Sequence, residues 1–115
     1  MKNLRSCRVN VMVTDMNRAI DFYQNKLGLE LLNRYEDHYA EIQAPDLQIG
    51  LHPASENVSW GDNMSIGMGV TDFDLTVEEL QTKDIQLRVV QDGYMRLAYF
   101  TDPDGNQLFL AERDD

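Results

Sequence analysis

The chain has 115 residues, 43% of them hydrophobic, with twenty acidic against ten basic residues for a net charge of −10. That length suits one compact domain or two small half-domains sharing a core, and leaves no room for separate catalytic and regulatory domains. The acidity repels phosphate backbones and no basic patch offsets it, which excludes nucleic-acid binding; the basic start "MKNLRSCR" runs into alternation instead of an apolar stretch, so neither a signal peptide nor a membrane-spanning helix is expected and the protein is read as cytoplasmic.

In chain order, "CRVNVMV" alternates as a strand, with Cys7, Val9, Val11 and Val13 on one face and Arg8, Asn10 and Met12 on the other. The face carrying Cys7 is expected to be buried, which makes this lone thiol a packing group. Next, "MNRAIDFYQNKLG" spaces Met16, Ala19, Ile20, Tyr23 and Leu27 as an amphipathic helix that ends at Gly28. Three strand candidates follow, around "LELLNRY", "YAEIQ" and "LQIGLH", with turns at "EDH" and "APD". The polar stretch "PASENVSWGDN" marks a linker between halves. Beyond it "SIGMGV" is a strand. "LTVEEL" opens a helix in which Thr76 and Glu79 are spaced as a capping box and Leu75 and Leu80 as a hydrophobic staple. Three more strands are expected in "IQLRVV", "RLAYF" and "QLFLA".

The two halves superpose. "VTD" at 13–15 recurs at 70–72, and "PD" at 45–46 recurs at 103–104, at the same joints of the same element order. The expected architecture is α+β: two tandem βαβββ modules, at about 4–53 and about 64–113, joined by a linker at about 54–63 in one domain spanning 1–115.

If Val9, Val11, Ile49, Leu51, Ile66, Met68, Leu108 and Leu110 face the helices, the opposite faces carry Arg8, Asn10 and Met12; Gln48, Gly50 and His52; Ser65, Gly67 and Gly69; and Gln107, Phe109 and Ala111. A divalent cation needs several oxygen or nitrogen donors converging at about 2.0–2.3 Å. These faces supply one imidazole, His52, and the charge of Arg8 repels a cation. No metal or other cofactor is expected.

The segments "VNVMVTDMNRAIDFYQNKLGLELL", "VTDFDLTVEELQTKDI" and "YFTDPDGNQLFLAE" resemble the vicinal oxygen chelate superfamily, which groups glyoxalase I, extradiol dioxygenases, fosfomycin-resistance transferases and bleomycin-resistance proteins. The resemblance covers nearly the whole chain and implies curved mixed sheets that line a cup, commonly completed by dimerisation. It also implies that the metal-ligand places of the metal-dependent branches fall on Arg8, Gly50, Ser65 and Phe109, none of them a usual ligand. The run "DNMSIGMGVTD" is similar to the bleomycin-resistance branch.

Each candidate residue has a plain alternative. Arg8 either orients a ligand or pairs with a carboxylate on its own face or at a dimer contact. His52 could act as acid or base, but a strand-end histidine is more often solvated or held by a backbone group. His38, in an acidic turn, is a surface residue. Gly67 and Gly69 make room for a flat ligand, another subunit or a neighbouring side chain. Trp60 either stacks on a ligand or plugs the space between modules. Tyr99 has an unsettled register, and Asp102 and Asp104 belong to the turn "DPDGN".

The leading expectation is a metal-free homodimer that binds a small organic molecule, aromatic or cationic, through Phe109, Met12 and Trp60, with Arg8, Asn10 and His52 fixing its orientation. The alternatives are a lyase, isomerase or dioxygenase with a displaced metal site on His52, Glu41 or Glu112, metal-free catalysis by Arg8 and His52, and a scaffold or interaction protein.

Overall fold

The structure, a computed structural model, describes residues 7–54 and 64–113. The chain divides into two compact units, Met1–Val58 and Ser59–Asp115. In the first, β1 (Arg8–Val13) leads to α1 (Met16–Ile20) and then to β2 (Glu30–Tyr35), β3 (Tyr39–Ala44) and β4 (Leu47–Pro53). In the second, β5 (Ile66–Val70) leads to α2 (Phe73–Thr82), β6 (Arg88–Asp92), β7 (Met95–Thr101) and β8 (Gln107–Glu112). Each module is thus one strand, one helix and three strands. Their open mixed sheets have the same order, β1-β4-β3-β2 and β5-β8-β7-β6, with the first strand parallel to the last and the other neighbours antiparallel.

The repeated tripeptide has a mechanical meaning. Val13 and Val70 close their strands, and Asp15 and Asp72 cap the helices that follow, accepting from the backbone N–H of Arg18 at 3.0 Å and of Leu75 at 3.2 Å. The proline turns are equally regular: Asp46 takes φ 61° between β3 and β4, and Gly105 takes φ 87° between β7 and β8.

The aliphatic strand faces form the cores. Ile42, Ile49, Leu51 and Ala40 are fully buried in the first module, with Met16, Ala19, Ile20, Phe22 and Tyr23 of the helical segment. Leu108, Leu110, Ala98 and Phe100 do the same in the second, with Phe73 and Leu80 of α2.

Four expectations need correction. First, Cys7 is exposed, because β1 pairs with β4 only from Arg8 onward and Cys7 lies beyond the paired stretch. Second, α1 is not one regular helix: after Ile20 it widens into a π-helix over Asp21–Lys26. The wider turn buries Phe22 and Tyr23 side by side, with rings 5.2 Å apart edge to face, where a 3.6-residue period brings in only Tyr23. Gly28, at φ 74°, then ends the segment as expected.

Third, there is no Thr76–Glu79 capping box. The cap is Asp72, Thr76 lies inside the helix with its hydroxyl donating to the Asp72 carbonyl at 2.7 Å, and Leu75 is half exposed. A cap with its own carboxylate one turn earlier pre-empts the box. Fourth, β6 begins at Arg88, because Ile85 is used to close the helix.

That closure is a Schellman motif: Asp84 N–H donates to Gln81 C=O and Ile85 N–H to Leu80 C=O, both at 3.1 Å, with Asp84 at φ 64°. An aspartate in the left-handed region is strained where glycine is not. Asp84→Gly is therefore expected to stabilise the protein by about 0.5–1 kcal/mol, read as a higher urea midpoint at unchanged slope; a lower midpoint would show that Asp84 has a compensating contact.

Candidate functional site

Strand pairing decides which residues share the sheet face turned away from each helix. On the first module Arg8 pairs with Gln48, Asn10 with Gly50 and Met12 with His52, while Glu41 lies opposite Gly50 on the other side. These residues carry the polar groups of the open face. The phenol of Tyr39, next to His52 across the ladder, reaches over Gly50 and donates to Asn10 Oδ1 at 2.7 Å. It accepts in turn from Arg8 Nη1 at 3.2 Å. Gly50 is what allows this: a Cβ there would collide with both the Tyr39 hydroxyl and Asn10 Oδ1.

Arg8 also faces Glu41, with an N···O separation of 3.7 Å, and its guanidinium is held more firmly protonated, chiefly by the hydrogen bond to Tyr39. Glu41 accepts from Asn33 Nδ2 at 3.3 Å. Arg8 therefore pairs with a carboxylate on its own face, one of the alternatives left open by the sequence. His52 is exposed, with Nδ1 2.9 Å from Pro53 O. His38 is a surface residue 3.9 Å from Glu36. Tyr39 is a participant that sequence reasoning missed; its place two residues before Glu41 on an alternating strand was the signal available.

On the second module one row runs straight across four strands: Gly67, Phe109, Tyr99 and Arg88. The Phe109 ring lies over Gly67, within contact distance of where a Cβ would stand. Tyr99 meets Phe109 at 5.7 Å and Arg88 lies over the Tyr99 ring at 5.0 Å, which fixes Tyr99 on this face. Beside the row is a cleft of about 560 Å³ whose walls include Gly67, Gly69, Met95, Phe109 and Ala111. The two modules thus use glycine reciprocally. The first has a side chain on its first strand, Asn10, and a glycine on its last; the second has the glycine on its first strand and Phe109 on its last.

The other candidates separate from these faces. Glu112 is turned to the helix side and accepts from Arg96 at 3.2 and 2.6 Å, while Arg96 also donates to Asp74 at 2.8 Å and lies 4.6 Å from the Phe73 ring centre. This clasp ties α2 to β7 and β8. Among the described residues no three His, Cys, Asp or Glu side chains converge as a metal cluster. Asp102 is a turn residue, as its sequence context implies, and Trp60 lies outside the described residues.

Arg96 holds the Glu112 carboxyl below its ordinary value of 4.5. A depressed folded-state value means that the clasp's contribution is complete above the ordinary range and fades as pH falls through the folded value. The stability gap between the wild type and Glu112→Gln is therefore expected to be constant near neutrality and to shrink below about pH 4.5. Urea midpoints at several pH values measure it, and a gap that widens on acidification would contradict the assignment.

Comparison with known proteins agrees with this architecture. No curated protein matches the chain. Among solved structures, TnmS3, described as an antibiotic binding protein from Streptomyces sp. CB03234, has 23% identity and a TM-score of 0.80 over 97% of this chain and 98% of its own. A glyoxalase/bleomycin resistance protein/dioxygenase superfamily member from Sphaerobacter thermophilus has 23% identity and 0.78 over 98% and 100%. A putative glyoxalase family protein from Bacillus anthracis has 19% and 0.77 over 98% and 99%. At such identities these show the fold. The family itself is shown by a sequence profile matching residues 6–110: the chain belongs to the Glyoxalase/Bleomycin resistance protein/Dioxygenase superfamily.

Proposed function

We propose that this protein binds a small organic molecule against its open sheet faces without using a metal at the superfamily's usual places, as a cytoplasmic homodimer. The carrying observation is the donor set at those places: a guanidinium at Arg8, no side chain at Gly50, a lone hydroxyl at Ser65 and a phenyl ring at Phe109. No divalent cation is held by such a set, since it lacks convergent imidazole or carboxylate donors. The residues at these places do not fit the metal.

The binding half of the reading is supported by the second module's cleft, apolar over most of its wall and lined by Gly67, Gly69, Met95, Phe109 and Ala111. Phe109, its ring tilted 44° to that of Tyr99 at 5.7 Å, offers an aromatic surface. On the first module Arg8, Asn10, Met12 and His52 share the open face, with Tyr39 setting the orientation of the Asn10 amide by taking its oxygen. A protein of the same fold described as antibiotic binding makes ligand sequestration a reasonable version of this role.

The test is elemental analysis of protein purified without chelator, together with crystals soaked in aromatic compounds. The expected result is metal far below stoichiometric and ligand density on the sheet faces. Stoichiometric zinc, nickel, manganese or iron would overturn the reading in favour of a displaced metal site.

A further inference from the structure

We propose that Asn10 reads the ligand on the open face of the first module, donating through Nδ2 to an acceptor oxygen of a neutral molecule, a ketone or amide carbonyl, with Tyr39 as the positioning residue that fixes its amide. The inference rests on the binding reading above and deepens it by naming the ligand's chemical class.

Donors and acceptors on this face pair off one by one. Arginine has no acceptor, so the contact of Arg8 Nη1 with the phenol uses an oxygen lone pair of Tyr39. The single phenolic proton goes to Asn10 Oδ1 at 2.7 Å. Both oxygens occupy the space above Gly50 that a Cβ would fill. A carboxamide whose oxygen is committed in this way keeps its two Nδ2–H groups for another acceptor. Asn10 is exposed, and Nδ2 has no partner among the described residues. The chain of bonds runs in one direction, from guanidinium to phenol to amide, and each bond polarises the next. A relay that starts on a full positive charge makes its last member a stronger donor than a free carboxamide.

This face does not select by charge. Arg8 has the Glu41 carboxylate at 3.7 Å, and Glu41 is only 18% exposed, so an anion meets the carboxylate together with the guanidinium. A cation meets Arg8, two residues from Asn10 on the same strand face. Strand register adds Glu30, in the row of Gln43, Gln48 and Arg8, but β2 lies three strands from β1, about 14 Å away at strand spacing and beyond the Debye length of about 8 Å. What remains is an oriented, polarised donor beside Met12 and His52, which suits a neutral acceptor.

The test uses three probes of similar size: 1-indanone with a carbonyl acceptor, indane with no polar group and indole with an N–H donor. They are titrated into the full chain and two variants, with the backbone amide of Gly50 and the side-chain amide of Asn10 as NMR reporters. The expected result is that indane perturbs Gly50, and that indanone binds about three- to tenfold tighter, the worth of one net hydrogen bond, and moves the Asn10 Nδ2 protons downfield. In Asn10→Ala the preference falls to within about twofold. Tyr39→Phe keeps the ring but removes the proton that holds Oδ1, so the amide turns over freely. There the indanone preference falls in the same way, while indole gains at least about twofold because the amide oxygen is now available to it. A merely structural role for the phenol would weaken all three probes alike, and well-dispersed spectra certify that both variants fold. If indane perturbs Gly50 but indanone binds no tighter, or if either variant leaves the preference intact, carbonyl reading by Asn10 is refuted while the binding reading stands. If no probe perturbs Gly50 or Asn10, the binding reading of this face fails and the inference falls with it.

Discussion

Asp102→Ala is expected to destabilise the protein by about 2–4 kcal/mol, the largest effect of any single substitution outside the apolar cores. Asp102 is only 3% exposed. Its carboxylate accepts from Asp104 N–H at 2.9 Å, Asn106 N–H at 2.8 Å and Asn106 Nδ2 at 2.8 Å. Its backbone also closes the turn, donating to Asn106 C=O and accepting from Gly105 N–H, both at 3.0 Å. Truncation leaves several donors without their acceptor in a part-buried turn, which costs more than the bonds themselves contribute. The turn sets the β7–β8 register that places Phe109 opposite Tyr99, so the same variant should weaken the aromatic row. Asp102→Asn, which retains an acceptor oxygen but adds a competing donor, is expected to lose less. Urea denaturation measures both, and a loss below about 1 kcal/mol for the alanine variant would mean that water replaces the carboxylate.

Gly50→Ala is expected to cost about 1–3 kcal/mol, although a glycine-to-alanine change in a strand is ordinarily favourable. β4 is hydrogen bonded on both sides, to β1 and β3, so its backbone cannot retreat from the added methyl group. The Tyr39 phenol must move instead, releasing both Asn10 and Arg8. Removing one of the two obstacles should remove part of the cost: in a Tyr39→Ala background, where Asn10 Oδ1 still meets the added Cβ, the same change is expected to cost at least about 0.5 kcal/mol less. A coupling energy near zero would show that Tyr39 relaxes freely and that Gly50 is not required by the phenol.

These two positions show where legibility in the sequence stops. The repeated "VTD" and "PD" were sufficient to align two modules, because each is a local device whose chemistry lies within a few residues: a strand end with a helix cap, and a two-residue turn. The inward phase of all four first and last strands was legible for the same reason, since aliphatic alternation is a local pattern. The departures arose where neighbours compete. The capping box lost to Asp72 one turn earlier, the α-helical period lost to a π turn that buries two adjacent aromatics, and Cys7 lay past the end of the pairing that would have covered it.

By itself the sequence determined the βαβββ duplication and the identity of the open faces. Those follow from periodicity and residue type, which need no partner in space. Only the tertiary structure decided that Tyr39 lies across Gly50 to hold Asn10, that Phe109 covers Gly67, that Glu112 is taken by Arg96, and that Arg113 crosses Gly69. Each joins residues on different strands or elements through a side chain several ångströms long. Which neighbour such a side chain reaches is set by strand register and by the space a glycine leaves, and neither is written in any one segment.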